Sequence, residues 1–439
     1  MLGPARTNQP THSNEMSAPG ITAPNDIRDL ALAAAGRRRL EWVFQSMPVL
    51  QSVRKQFIRS QPLAGIRVSA CFDVTPEAAN LMVTLRDGGA EVLLAGANPR
   101  TTQDDVAAAL VKEFGIPVFA IRDASPETRL AHIEAALDHK PHITLEDGGP
   151  LLLAIHSRRR ELAEGAIGGV EESGSGAAKF RALAANGSLP YPVVAAGDSL
   201  TKHLFDNRYG TGQSTIDALV RSTNLLLAGL NVVIAGYGWC GRGCASQVKG
   251  MGANITICET DPLRALEAVM DGHRVTSMSD AATYGDLFLT ATGNRNVIAR
   301  DHFERMKNGV VLANAGHSNV EIDVEGLGRM ASSHKPAGEF VEEFATRDGR
   351  KLYLLCEGRV VNTAAGGQPT PVLDMSFSNQ ALAAEFLAKN RGTLEKRVYS
   401  APPELDRYVA RMKLDAMGVK TDRLSYDQEQ YLAGKSGQD

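Results

Sequence analysis

The chain has 439 residues, 43% hydrophobic and 22% charged. That is longer than one hydrophobic core serves, so two domains are expected, in a composition typical of soluble globular proteins. A formal net charge of −3 excludes an electrostatic drive toward nucleic acid or an anionic membrane surface, and no apolar run reaches spanning length. No signal-peptide pattern opens the chain, and the five cysteines (Cys71, Cys240, Cys244, Cys258, Cys356) lack metal-type spacing. They read as reduced thiols in a cytoplasmic protein with no metal site.

Residues 1–25 are polar and Pro/Ser/Asn-rich, as in a disordered tail. Asp26 is expected to start a helix that breaks at Met47-Pro48, with a second helix to about Ile58. Strands are expected at 66–71, 91–95, 117–120 and 142–145, alternating with helices at 76–87, 104–114 and 126–137. This βαβ rhythm predicts a doubly wound parallel sheet, whose ligands sit beyond the strand C-termini. Asp73, Thr75 and Asp147 fall at such ends. Residues 167–176 (IGGVEESGSG) read as a Gly/Ser-rich acidic loop, 190–194 as a strand, and 201 to about 228 as one long helix.

The next stretch, NVVIAGYGWCGRGCASQVKGMGANITICETD over 231–261, carries the strongest signal. A buried strand leads into Gly236, Gly238 and Gly241 in G-x-G-x-x-G spacing, then a helix, a second strand and Glu259. Gly236 permits the tight turn, Gly238 lets backbone approach a pyrophosphate, and Gly241 lets the helix pack close. The helix N-terminus offers N–H groups to the phosphates. Glu259, 18 residues after Gly241, can accept from ribose hydroxyls and would repel a 2′-phosphate, which favours NAD over NADP. Further strands are expected at 275–278, 287–290, 310–313 and 353–356, then a turn at 364–369. Helices follow at 373–389 and 405–418, before a polar end. The predicted fold is α/β, with two Rossmann-like doubly wound sheets.

Several blocks together resemble the adenosylhomocysteinase family: GDSLTKHLFDNRYG (197–210), VIAGYGWCGRGCA (233–245), TATGN (290–294), NAGHSNVEIDV (314–324) and EGRVVN (357–362). The resemblance implies a substrate-binding domain in two segments, 26–200 and 367–420. An NAD-binding domain, 201–366, is inserted between them, and 421–439 forms a C-terminal tail. It also implies tightly held NAD that is regenerated each turnover, an adenine nucleoside substrate and a homo-oligomer, tetramer or dimer. The family's chemistry is 3′-oxidation of the nucleoside, loss of the C4′ proton and β-elimination at C5′, with water added afterwards.

By position, the resemblance gives Lys202 and Asp206 work at the ribose hydroxyls, with Lys202 lowered in pKa by a neighbouring nicotinamide. Alone, the two would read as a surface i,i+4 ion pair. Asp147 and Glu172 match substrate-site carboxylates, though alone they read as a turn residue and a solvated loop acid. His317 matches a histidine at the substrate entrance, with a structural hydrogen-bonding role equally open. Thr75, Gln368 and Phe377 join the substrate contacts. Ser173, Gly174, Ser175, Asn207, Thr292, Asn294, Ala315, Gly316 and Asn362 join the glycines and Glu259 at the cofactor.

Departures cluster around the substrate. Asp73 stands where the family has a histidine, Gln368 stands in the family's G-H-P, and Ser318 replaces a phenylalanine. These suggest altered recognition of the base and leaving group. The expectation is therefore a divergent paralogue, a nucleoside dehydratase forming an exocyclic 4′,5′-alkene as in angustmycin-type antibiotics. The alternatives are adenosylhomocysteinase proper, a silent NAD-binding regulator, and a plain dehydrogenase.

Overall fold

The computed structural model describes residues 24–316 and 319–435. Two eight-stranded sheets organise it. The first is built from β1 (Asn25–Ile27), β2 (Arg67–Phe72), β3 (Glu91–Gly96), β4 (Val118–Ala120), β5 (Ile143–Glu146), β6 (Gly168–Glu171) and β7 (Val193–Ala195). The second holds β8 (Asn231–Ala235), β9 (Asn254–Cys258), β10 (Arg274–Val275), β11 (Leu287–Thr290), β12 (Val310–Asn314), β13 (Ala331–Gly338), β14 (Val341–Thr346) and β15 (Lys351–Leu355). The last strand, β16 (Val398–Ser400), returns to the first sheet.

The first sheet runs β1-β4-β3-β2-β5-β6-β7-β16, every pair parallel. From β2 the chain winds outward through β3 and β4, then crosses back to β5 and winds the other way. The switch point, where such sheets bind ligands, therefore lies between β2 and β5. The second sheet runs β10-β9-β8-β11-β12-β15-β14-β13 and switches between β8 and β11. Its β13–β14–β15 edge is antiparallel.

Local chemistry explains most elements. Thr75 caps the helix Pro76–Asp87, accepting from the Ala78 N–H, with Pro76 in the first turn. Gly115, at φ +65°, ends the helix Asp104–Phe114. The helix Thr370–Lys389 is buried along most of its length. Its Asp374 accepts from the Val49 and Leu50 N–H groups and from Lys413 Nζ, which ties three segments to one carboxylate.

Several expectations are corrected. Asp26 lies in a strand, paired with Phe119, and helix begins only after Asp29 caps a short 3₁₀ turn. The Gly/Ser-rich stretch contains β6 and the start of the helix Gly174–Ala185, because Gly168 and Gly169 leave room for Leu387 and Tyr191. The single helix expected from 201 is a π-helix, Lys202–Gly210, followed by an α-helix, Thr211–Thr223. Residues 275–278 are split between β10 and a short helix, and the β13–β14 hairpin is additional. Residues 1–23 of the expected tail fall outside the described residues, whereas Asn25 is in β1. The polar end contains a helix, Tyr426–Leu432, with a capping box at Ser425 and Gln428. Among the described residues no helix is long and apolar enough to cross a membrane.

Candidate active site

The switch point of the first sheet gathers acids. Asp73 follows β2, Asp147 follows β5 and Glu172 follows β6, and these strands are neighbours. Beyond β7 the π-helix brings in Lys202. Its ammonium lies 2.8 Å from Glu172 Oε1 and 2.5 Å from Asp206 Oδ2. Lys202 is 13% exposed and Asp206 fully buried, so this is no solvated surface pair. Ser376 Oγ donates to the same Asp206 oxygen at 2.7 Å, while Asp206 Oδ1 is buried with no partner among the described residues.

Electrostatics here oppose one expectation. Burial works against a charged Lys202, but Asp206 and Glu172 outweigh it and raise the ammonium's pKa. The protein alone therefore keeps Lys202 protonated. Burial raises Glu172, against the pull of Lys202, and the charges of Asp147 and Asp206 add to the rise. Asp147 thus faces Glu172 electrostatically.

The π-helix and the α-helix that follows it pack closely on the helix Trp239–Gly250. A Cβ on Gly212, in the following helix Thr211–Thr223, would lie 2.7 Å from Gly243 backbone. A Cβ on Gly243 would strike the Arg208 carbonyl at 1.9 Å. Close approach of the two backbones sets the Lys202 segment against the phosphate-type turn; π-turns recur at functional sites. His203 stacks on Trp239 at 5.7 Å, Arg242 also lies over the Trp239 ring at 5.0 Å, and Asn207 Nδ2 reaches His203 Nδ1 at 3.3 Å.

The second switch point fits a dinucleotide. Gly236 has φ +95°, and a Cβ there would approach the Ala291 carbonyl at 2.8 Å. A Cβ on Gly241 would sit 2.0 Å from the Gly236 carbonyl, whereas one on Gly238 would meet only Arg264 Nη1, at 3.8 Å. Glu259 follows β9 and accepts from the backbone N–H groups of Tyr237, Thr260 and Asp261 at 2.7 to 2.9 Å. Burial opposes its charge, but these donors hold it below the usual carboxylate range. A fixed anion at that place suits ribose hydroxyls and disfavours a 2′-phosphate.

Thr292, Asn294, Ala315 and Gly316 lie on the loops after β11 and β12, around a carboxylate the sequence reading left without a role. Glu321 is fully buried and accepts from Thr292 N–H and Oγ and from Gly293 N–H at 2.7 to 2.9 Å. A Cβ on Gly316 would collide with it at 1.8 Å. Asn294 N–H donates to Thr292 Oγ at 3.1 Å, and Ala315 N–H to the Thr290 carbonyl. Ser173 caps the helix Gly174–Ala185, and Ser175 Oγ donates to Ser173 Oγ at 3.4 Å. Asn362 lies on the short 3₁₀ turn Val361–Ala364. Glu321 sits within the quoted 314–324 block, but nothing local marks an acid there as buried. Ser376, two residues after Asp374, gave no signal.

Other candidate residues have partners inside the fold. Phe377 is in the core, edge-on to Phe72 at 6.2 Å, next to Asp73. Thr75 is the helix cap described above. Gln368 Nε2 donates to Thr211 Oγ1 at 2.9 Å. His317 and Ser318 lie outside the described residues. Cys240, near Lys202 and Asp206, has its thiol pushed up to about 11 by burial and so stays protonated. Among the described residues no cluster of three or more His, Cys, Asp or Glu could hold a metal ion.

Comparison with known proteins adds to this geometry. Residues 24–167 match the family model "S-adenosyl-L-homocysteine hydrolase", and residues 207–367 match "S-adenosyl-L-homocysteine hydrolase, NAD binding domain". The adenosylhomocysteinase of Aquifex aeolicus is 52% identical over 93% of this chain and 98% of its own length. That of Aeropyrum pernix is 51% identical over 92% and 98%, and that of Gloeobacter violaceus 49% over 93% and 96%.

These relatives overturn the expectation of a dehydratase in antibiotic biosynthesis. Half the residues are shared along nearly the whole chain with proteins named adenosylhomocysteinase, and a few departures near the substrate do not outweigh that. Physically, Gln368 engages Thr211 within the fold, so its identity does not by itself specify a new leaving group. The chain belongs to the S-adenosyl-L-homocysteine hydrolase family and is an NAD-dependent enzyme.

Proposed function

We propose that the protein is an adenosylhomocysteinase, hydrolysing S-adenosylhomocysteine to adenosine and homocysteine. The observation that carries this is the near full-length identity to enzymes of that name. Residues 26–200 and 367–420 are assigned to substrate and 201–366 to NAD.

NAD would be held by the glycine turn, Glu259, Asn207, Asn362 and the loops around Glu321. It supplies a hydride acceptor for a sugar carbon. The chain's own residues bind, orient and move protons. Lys202, kept cationic by Asp206 and Glu172, donates to a ribose oxygen and stabilises negative charge as that oxygen passes its proton to Asp206 Oδ1. Asp206 Oδ1 offers an unused acceptor, and Ser376 fixes the carboxylate's other oxygen. Glu172 accepts from the second ribose hydroxyl. Asp73 and Asp147, flanking the switch point, are assigned acid–base work at the 5′ end.

A homo-oligomer, tetramer or dimer, is part of the reading. Leu263, Leu266, Val269 and Met270 expose apolar surface on the helix Pro262–Met270, available to a second copy. Light scattering on the purified protein measures the assembly. The activity is tested by incubating the protein with S-adenosylhomocysteine and titrating free thiol. Stoichiometric homocysteine supports the reading; adenine nucleoside turnover without thiol contradicts it.

A further inference from the structure

Beneath the candidate acids lies a second pair of carboxyl groups. Glu146 ends β5 and Glu171 ends β6, directly paired in register, and both side chains are buried. The next residues are Asp147 and Glu172. Glu171 Oε1 accepts three hydrogen bonds: Gly148 N–H at 2.8 Å, Ser173 N–H at 2.8 Å and Ser173 Oγ at 2.6 Å. One oxygen thus joins the loop after β5 to the loop after β6. Gly176 makes room for the group, since a Cβ there would lie 2.3 Å from the carboxyl.

The two carboxyls differ in what surrounds their oxygens. Both oxygens of Glu146 receive N–H groups at the start of the helix Pro150–Ser157: Leu151 N–H at 2.6 Å and Leu152 N–H at 3.1 and 3.2 Å. Glu171 Oε2 is buried without a partner among the described residues. Two like charges side by side in a buried layer cannot both persist. Donors reach both oxygens of Glu146 but only one oxygen of Glu171, so the negative charge settles on Glu146 and the proton on the bare Glu171 Oε2.

We propose that Glu171 is a positioning residue that holds a proton at neutral pH and, as a neutral acid, locks together the two loops that carry Asp147 and Glu172. It rests on the reading of those two as substrate-facing acids. Burial, then the charges of Glu146 and Asp147, push Glu171 up to about 9, against the donors of Ser173 and Gly148; burial pushes Glu146 only to about 7, against the N–H groups of Leu151 and Leu152. The other groups facing the pair are Lys179, whose Nζ donates to the Gly148 carbonyl at 3.1 Å, and two neutral groups, the Cys71 thiol and the Tyr191 hydroxyl, both raised mainly by burial. A negative Glu171 would repel Asp147 and loosen the lock, so activity falls as pH rises through this ionisation.

The test uses the holoenzyme and two variants. At pH 7 the infrared difference between wild type and E171Q should show the carbonyl stretch of a protonated carboxylic acid; carboxylate bands in its place would overturn the proposal. E171Q, a neutral isostere, should keep kcat/KM within about tenfold at pH 7 and extend the alkaline arm of the profile. A profile superimposable on wild type would overturn it. Glu171→Ala should lose about 100-fold, as expected for displaced loops. The infrared readout needs no substrate, so it fails or holds independently of thiol release from S-adenosylhomocysteine.

Discussion

The two switch points solve opposite electrostatic problems. At the first sheet, carboxyl groups crowd the strand ends: Asp73, Glu146, Asp147, Glu171 and Glu172, joined by Asp206 on the π-helix. Lys202 and bound protons must keep that layer from repelling itself. At the second sheet, the strand ends offer backbone N–H groups, glycine clearances and two carboxylates tied to those loops, Glu259 and Glu321. The first region is a set of side chains whose protonation is the chemistry. The second is a backbone shape that an anionic ligand completes. Substrate work is thus sensitive to single charges, and cofactor binding to single Cβ atoms.

Breaking the charge balance of the first region should have the largest effect. Lys202→Ala leaves Asp206 and Glu172 without their cation, so hydride transfer to bound NAD should fall by about 1,000-fold or more. NAD content should stay near wild type. Stopped-flow absorbance of the reduced nicotinamide measures the first and extraction of the cofactor the second. Unchanged hydride transfer would remove Lys202 from the site.

The second region is sharpened by Glu259→Ala. Loss of a charged acceptor should weaken NAD by about 10- to 100-fold and narrow the preference over NADP. Calorimetric titration of apoenzyme with each dinucleotide measures both.

The acid layer also predicts a pH dependence of stability. Glu146 and Glu171 sit at about 7 and about 9 in the fold, above an ordinary glutamate at 4.5. The folded state therefore binds more protons than the unfolded state in that window. Their contribution is fully present below 4.5 and is lost as pH rises through 7 and then 9. Tm should fall by a few degrees between pH 6 and pH 9, less so in E171Q. A Tm that rises over that range would contradict the assignment. The smallest effect belongs to Arg100, whose guanidinium meets Glu357 at 2.7 Å, an exposed pair linking the first sheet's loops to the second sheet's. Arg100→Ala should change stability by less than about 1 kcal/mol, measured by urea denaturation.

The contrast also explains what the sequence disclosed. The cofactor half is legible because backbone constraints leave glycines at fixed spacing and an acid at the next strand's end. The helices Pro76–Asp87 and Asp104–Phe114 are legible for the same local reason, caps and prolines. β6 was hidden because its glycines, needed for close packing, look like a loop. β13 was hidden because an exposed edge strand carries no apolar alternation. The π-helix was hidden because the Gly212–Gly243 contact that accompanies it is tertiary. Among the charged side chains, Lys202 and Asp206 showed through their family block, since their spacing alone reads as a surface ion pair. Glu171 and Glu321 did not, since a buried carboxylate has the same letter as a solvated one. The function drawn from the expected departures at Asp73 and Gln368 was overruled by the relatives.

The account rests on a held NAD that takes hydride from a nucleoside beside Lys202. The most direct measurement is the absorbance of the purified protein when adenosine is added without any dinucleotide. A rise at the reduced-nicotinamide band, absent in Lys202→Ala, is the expected result. A protein that carries no NAD after purification, or whose spectrum does not change with adenosine when NAD is bound, would contradict it.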